Sequence, residues 1–262
     1  MNLRIIVLAK QVPDTRCVEQ GTMNADGTID RTALPVIINP DDMKALEQAL
    51  RLKEQYPGST IQVLTMGPSR AADVVRECLF RGADGGYLLS DYAFAGADTL
   101  ATSYALATAI GKMGGYDVIL CGRQAIDGET AQVGSQVAER LGIPQVTYAE
   151  EVLGVEDGHV DVKRRIDEGV EVVEAPLPVV VTVGGSAARC RSRNAQLLMS
   201  HKHTDIAVWN ATDIEADIAQ CGLQGSPTRV KTVESIVPST KENRVMGCGD
   251  EEIEDLMREL GI

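Results

Sequence analysis

Three evenly spaced glycines, Gly122, Gly128 and Gly134, frame the stretch of this chain best suited to chemistry: Gly-Arg-Gln-Ala-Ile-Asp-Gly-Glu-Thr-Ala-Gln-Val-Gly. An apolar run, Val118 to Leu120, leads into it, and an amphipathic segment opens near Thr130. The pattern predicts a strand, a tight turn and a helix start. The first turn of a helix leaves free N–H groups and a partial positive charge, which suits a phosphate or a carboxylate. Glycine lets backbone and ligand approach closely. The residues therefore point to a nucleotide or another anionic ligand at this turn. A tight βα connection with no ligand is the plainer alternative.

Other constellations are weaker. No two of the six cysteines stand at Cys-x-x-Cys spacing, so neither a zinc site nor an iron–sulfur cluster is expected. His201 and His203 lie on a polar stretch and are expected to be solvated, not to hold a metal. A Gly-x-Ser-x-Gly elbow, a Gly-x-x-x-x-Gly-Lys-(Ser/Thr) loop and a Ser-Gly-Gly-x-Asp loop are all absent, which disfavours hydrolases and ATP-activating enzymes.

Composition narrows the classes further. The 262 residues suffice for one large α/β domain or a domain with an extension. Hydrophobic residues make up 44% but aromatics 3%, so the core must be aliphatic and a base-stacking surface is disfavoured. A net charge of −13 repels phosphate backbones, so no nucleic-acid partner is expected. The cysteines read as reduced thiols of a cytoplasmic protein. Met1 to Lys10 has no signal-peptide pattern, and no apolar run is long enough to span a membrane.

The elements that must position the glycine turn follow from patterning. Leu3 to Ala9 reads as a buried parallel strand, and Val18 to Thr32 can form a hairpin around Asp26-Gly27. A helix follows Asn39-Pro40-Asp41-Asp42, with Asn39 or Asp41 as its cap. Then come a strand at Thr60 to Met66, a helix at Arg70 to Phe80 and a strand at Gly86 to Ser90. A helix from Asp98-Thr99 to Lys112, a strand at Asp117 to Cys121 and a helix at Thr130 to Leu141 complete the alternation. Such alternation implies α/β class: a doubly wound, mostly parallel, Rossmann-like sheet that binds ligands beyond its carboxyl edge. From about Val152 the pattern changes to paired strands, Val160 to Arg164 and Gly169 to Glu174, then a buried strand at Pro178 to Val183. The expected division is a nucleotide-binding domain over 1–184 and an extended arm over 185–262 that packs on another chain. The arm ends in a helix, Asp250 to Leu260, with an apolar face of Ile253, Leu256, Met257 and Leu260.

The glycine turn resembles the nucleotide-binding segment of the electron transfer flavoprotein (ETF) β subunit, Gly-(Lys/Arg)-Gln-Ala-Ile-Asp followed by Gln-(Thr/Val)-Gly. Further matches are Lys10 to Asp14, Asn39-Pro40, Thr65 to Pro68, the basic and acidic-Gly run Val162 to Val173, and Leu177 to Thr182. These cover most of 1–183 in order. The family's Asn-Glu-Pro-Arg docking motif is not kept: residues 186–193 read Ser-Ala-Ala-Arg-Cys-Arg-Ser-Arg, where Arg189 matches.

The resemblance implies a subunit that pairs with a flavin-carrying ETF α subunit. In the ordinary form β holds structural AMP. In the bifurcating form, found mainly in anaerobes, FAD takes that place and accepts hydride from NADH. One electron then goes to ferredoxin or flavodoxin, and the other through the α FAD to an acyl-CoA dehydrogenase-type partner. Arg123 to Gly128, Thr130 to Gly134, Gly96 to Ser103 and Gly225 to Thr228 place this chain with the bifurcating branch, with NAD(H) and FAD as cofactors and AMP as the alternative. The implied binding residues follow the motifs. Leu8, Ala9, Lys10, Asn39 and Pro40, with Asp41 and Asp42 beside them, hold adenine and ribose. Met66 and Gly67 lie on the adenosine, unless Met66 is simply core. Gln124, Ala125 and Ile126 lead to Asp127, near the ribose or bracing the turn. Gly128, Glu129, Thr130, Ala131, Gln132, Val133 and Gly134 offer N–H groups to phosphate. Arg123 pairs with phosphate or flavin, or with a nearby carboxylate. Asp98, Thr99 and Thr102 meet the pyrophosphate or ribityl chain, or merely cap their helix. No protein side chain is assigned as acid, base or metal ligand, because the redox chemistry belongs to the flavin.

Overall fold

Strands whose two faces are both covered must be largely apolar on both, and four segments of this chain meet that demand: Arg4–Leu8 (β1), Thr60–Met66 (β4), Val118–Gly122 (β6) and Val179–Val183 (β10). They lie centrally in the computed structural model, which describes residues 1–14, 35–229, 246, 247 and 249–261. With Gly85–Leu89 (β5), Gln145–Glu156 (β7), His159–Ile166 (β8), Gly169–Pro176 (β9) and Ala207–Trp209 (β11), the order is β11-β5-β4-β1-β6-β10-β7-β8-β9. The run from β11 to β7 is parallel, and β7, β8 and β9 form an antiparallel meander. The expected α/β doubly wound fold is therefore present.

Alternate residues of β1 feed two cores. Ile5 and Val7 pack with Pro40–Gln55 (α1) and Ala72–Leu79 (α2). Ile6 and Leu8 pack with Thr99–Met113 (α3) and Val133–Leu141 (α4) on the other face. The chain leaves β1 toward β4 and later returns to the opposite side of β1 with β6, so the switch point lies at the carboxyl ends of β1 and β6.

Several expectations need correction. Neither Asn39 nor Asp41 caps α1 through its side chain; Pro40 starts the helix with its preset φ, and both side chains bond elsewhere. α4 begins at Val133, not Thr130, because Glu129 (φ 51°) and Ala131 (φ 54°) adopt left-handed backbone that no α-helix accepts. β7 spans twelve residues in a stretch to which the sequence reading assigned no strand; register shifts at Ala149/Glu151 and Val152/Gly154 displace its pattern. The hairpin expected at 18–32 lies outside the described residues. Beside it, Gln11–Pro13 (β2) and Val36–Ile38 (β3) pair antiparallel in a separate small sheet.

The segment after 184 returns to its own sheet before any arm begins. Arg191 ties it to α1 through Glu47 and Glu54, β11 extends the sheet beside β5, and the Trp209 ring stacks on Tyr87 at 4.0 Å. Ala211, Ile214 and Cys221 are core residues. A three-residue strand and scattered small residues carry no periodic signal, which is why the sequence suggested an irregular arm. The short helix Ala195–His201 (α5) packs near α2, and the terminal helix Asp250–Leu260 (α6) leaves Ile253, Leu256 and Met257 exposed.

Candidate functional site

A cavity of about 700 Å³ opens at the switch point. Leu8, Ala9, Lys10, Asp42, Met66, Asp98, Thr99 and Thr102 line it, together with Arg123 to Ala125 and Gly128 to Gly134. Gly67 lines the adjoining cavity, beside Met66, which borders both. Asn39, Pro40, Asp41, Ile126 and Asp127 lie behind the wall. Among these, Asn39 braces the turn: its amide donates to Gln124 O at 2.8 Å and its carbonyl accepts from Ile126 N–H at 3.2 Å. Asp127 pairs with Lys10 at 2.8 Å, and Asp41 pairs with Lys44.

Asp42 joins the two strands that define the site. Its carboxylate accepts the N–H of Lys10, just past β1, and of Gly122, the last residue of β6, both at 2.8 Å. A Cβ on Gly122 would overlap that carboxylate, so packing within the fold already requires glycine there. Burial pushes the Asp42 carboxyl up to about 7 against the pull of those donors and of the Asn39 side chain, and Asp41 adds to the rise. Burial also raises the Cys121 thiol, with Asp42 reinforcing the effect, so Cys121 is no nucleophile here.

The three motif glycines serve different ends. At Gly134 a Cβ would stand 2.7 Å from Thr182 Cγ2 and 2.8 Å from Cys121 Sγ, so glycine lets α4 start tight against β6 and β10. At Gly128 nothing lies within 4 Å of a Cβ, so the fold itself does not demand glycine there. Left-handed backbone at Glu129 and Ala131 is costly for residues with a Cβ. Such alternation is the geometry from which anion-binding nests of N–H groups are built.

Among the described residues Arg123 makes no ion pair of the kind that sequence left open. Its guanidinium lies 5.2 Å from the Tyr148 ring centroid, and its Nε is buried with no hydrogen-bond partner among the described residues. A buried donor without a partner is costly, and an acceptor entering the cavity would relieve it. Thr99 links the two helix starts, donating to Gln132 Oε1 at 3.0 Å and accepting from Gln136 Nε2 at 3.3 Å.

The wall also holds residues to which the sequence reading assigned no binding role. Leu64, Phe94, Leu106 and Cys121 add apolar lining, and Gly96, Ala97 and Thr228 line the cavity near the start of α3. Phe94, one of only two phenylalanines, and Thr228, in Gly-Ser-Pro-Thr at 225–228, were the signals available. Among the described residues no cluster of His, Cys, Asp or Glu could hold a metal, and no helix is long and apolar enough to cross a membrane.

Known proteins share this arrangement of sequence. The family model described as electron transfer flavoprotein domain matches residues 26–214. The caffeyl-CoA reductase-Etf complex subunit CarD of Acetobacterium woodii is 47% identical, over 87% of this chain and 86% of its own. The electron transfer flavoprotein subunit beta of Clostridium acetobutylicum is 44% identical, over 94% and 91%. The acryloyl-CoA reductase electron transfer subunit gamma of Anaerotignum propionicum is 42% identical, over 98% of each.

Proposed function

This chain belongs to the electron transfer flavoprotein family as a β-type subunit, and on that premise we propose that its cavity holds FAD and that it serves electron bifurcation. With the ETF α subunit it takes hydride from NADH. One electron goes to ferredoxin or flavodoxin, the other through the α FAD to an acyl-CoA dehydrogenase-type flavoenzyme.

The observation that carries this reading is the reach of the cavity. It runs from the end of β1 past the Gly122–Gly134 turn to the start of α3 and Thr228. A mononucleotide at the turn leaves the α3 end unfilled, whereas a dinucleotide extends into it. The residues present fit such a group. Lys10 and Arg123 bring positive charge to the site in an acidic protein, and the orphaned Nε of Arg123 awaits an acceptor. The 128–134 backbone suits phosphate. Leu8, Leu64, Phe94 and Leu106 exclude water along one side. Bound FAD supplies both two-electron and one-electron chemistry, while this chain binds it, orients it and sets the charge around it.

The relatives named for caffeyl-CoA and acryloyl-CoA reductase complexes support a CoA-thioester flavoenzyme as the final partner. The exposed apolar face of α6 suits docking on the α subunit. The test is cofactor content per αβ pair, by absorbance and mass spectrometry after denaturation, followed by NADH titration with ferredoxin present. Two FAD and no AMP are expected. One FAD and one AMP would make this chain a structural and docking subunit and end the bifurcation reading.

A further inference from the structure

Asp98 sits at the start of α3 and faces the cavity, yet its own chain uses every acceptor position it has. Oδ1 takes the N–H groups of Leu100 and Ala101 at 2.9 and 3.0 Å. Oδ2 takes both the N–H and the hydroxyl of Thr228, at 3.1 and 2.7 Å. The Asp98 N–H donates to Ser226 Oγ at 2.8 Å, and that buried hydroxyl donates to Gly222 O at 2.7 Å. Partial burial works to raise the Asp98 carboxyl, but the Thr228 and α3 donors prevail and hold it low. An ionised carboxylate at this helix start cancels the positive end of the helix, so phosphate is disfavoured here and belongs at the 128–134 turn.

The Gly222–Thr228 segment is shaped to be held in this place. Gly222 has φ +52° and packs so closely on the Ala93 and Ala95 carbonyls that a Cβ would overlap them. Gly225 is equally tight against the backbone of Gln220. Leu223 N–H bonds Ala95 O at 2.9 Å. The result brings Thr228 to the cavity wall. Its hydroxyl hydrogen is committed to Asp98, which leaves the oxygen as an acceptor.

We infer that Gly222–Thr228 is a clasp across the nucleotide cavity, latched by Asp98, and that Thr228 Oγ1 accepts a hydrogen bond from a sugar hydroxyl of the bound nucleotide. Asp98 is then a positioning residue and not a ligand. This rests on the nucleotide-binding reading above, and it adds Ser226 and Thr228 to the site.

The test uses the purified αβ complex and measures nucleotide dissociation from this chain by exchange against excess FAD or AMP, whichever it carries. Thr228→Val keeps the shape and the backbone N–H but removes the hydroxyl. Dissociation should quicken by roughly three- to tenfold, the scale of a lost hydrogen bond between neutral groups. Thr228→Ser should restore the original rate, and the thermal midpoint should hardly move in either variant. An unchanged rate in Thr228→Val would overturn the clasp while leaving the nucleotide reading intact. A faster rate accompanied by an equal loss of thermal stability in both variants would also overturn it, as a merely structural role. A wild-type complex with no nucleotide on this chain would overturn both.

Discussion

Asp42 offers a quantitative test of how the switch point is built. Its carboxylate is buried, bridges β1 and β6, and titrates near 7 instead of the ordinary 3.8, because burial outweighs its hydrogen bonds. Between about pH 4 and pH 7 the folded state therefore keeps a proton that the unfolded state has released. Stability from this group is complete below about pH 4 and is lost as pH rises through about 7. At ~1.4 kcal/mol per tenfold, the gap amounts to about 4 kcal/mol across that window. Asp42→Asn cannot titrate, so the stability difference between variant and wild type should shift in favour of the variant by up to that amount over the window. An offset of ~1–3 kcal/mol against the variant applies at every pH, since an amide presents donors to one of two backbone N–H groups. Urea unfolding at half-unit steps from pH 4.5 to 8 measures the difference and cancels the titration of other carboxylates. A pH-independent difference would refute the reasoning: the two N–H donors would then hold Asp42 ionised throughout.

Three further outcomes are expected. Replacing Gly128 with leucine should lower nucleotide occupancy on this chain, read by absorbance and mass spectrometry, with unfolding stability and the α flavin unchanged, because a Cβ there meets only open space. Gly134→Val should instead destabilise the fold by ~1–3 kcal/mol or more in urea unfolding, since the added atoms run into Thr182 and Cys121. Arg191→Ala should cost ~1–3 kcal/mol in the same assay, because Glu47, only 7% exposed, loses the guanidinium but keeps Arg51 and the N–H of residue 191, and Glu47→Gln in that background should recover part of the loss.

Much of this protein is legible from residue order. The apolar runs at 4–8, 60–66, 118–122 and 179–183 announce buried strands, since no exposed strand needs apolar residues on both faces. Asp98 announces its helix start, and there the side chain does cap. The glycine turn was legible as a tight strand-to-helix connection, but not which glycine served which purpose. Gly122 and Gly134 are small because Asp42, Thr182 and Cys121 crowd them, and those neighbours come from elements distant in the chain. α1's cap was misplaced for a related reason: Asn39 bonds to the glycine turn and Asp41 pairs with the Lys44 side chain, so neither takes the free N–H groups of the helix start.

Local pattern determined the fold class, the main alternation of strands and helices and the position of the strand-to-helix turn, because periodicity and helix-end chemistry act over a few residues. The tertiary structure decided the rest. It gathered Lys10, Asp98, Arg123 and Thr228 around one cavity, folded the 185–229 segment back onto the sheet, and left Arg123 Nε without a hydrogen-bond partner among the described residues. It also shifted Asp42 toward neutrality by enclosing it between two strand ends. Burial, crowding and electrostatic shifts depend on what surrounds a group in space, and that is set when distant segments pack.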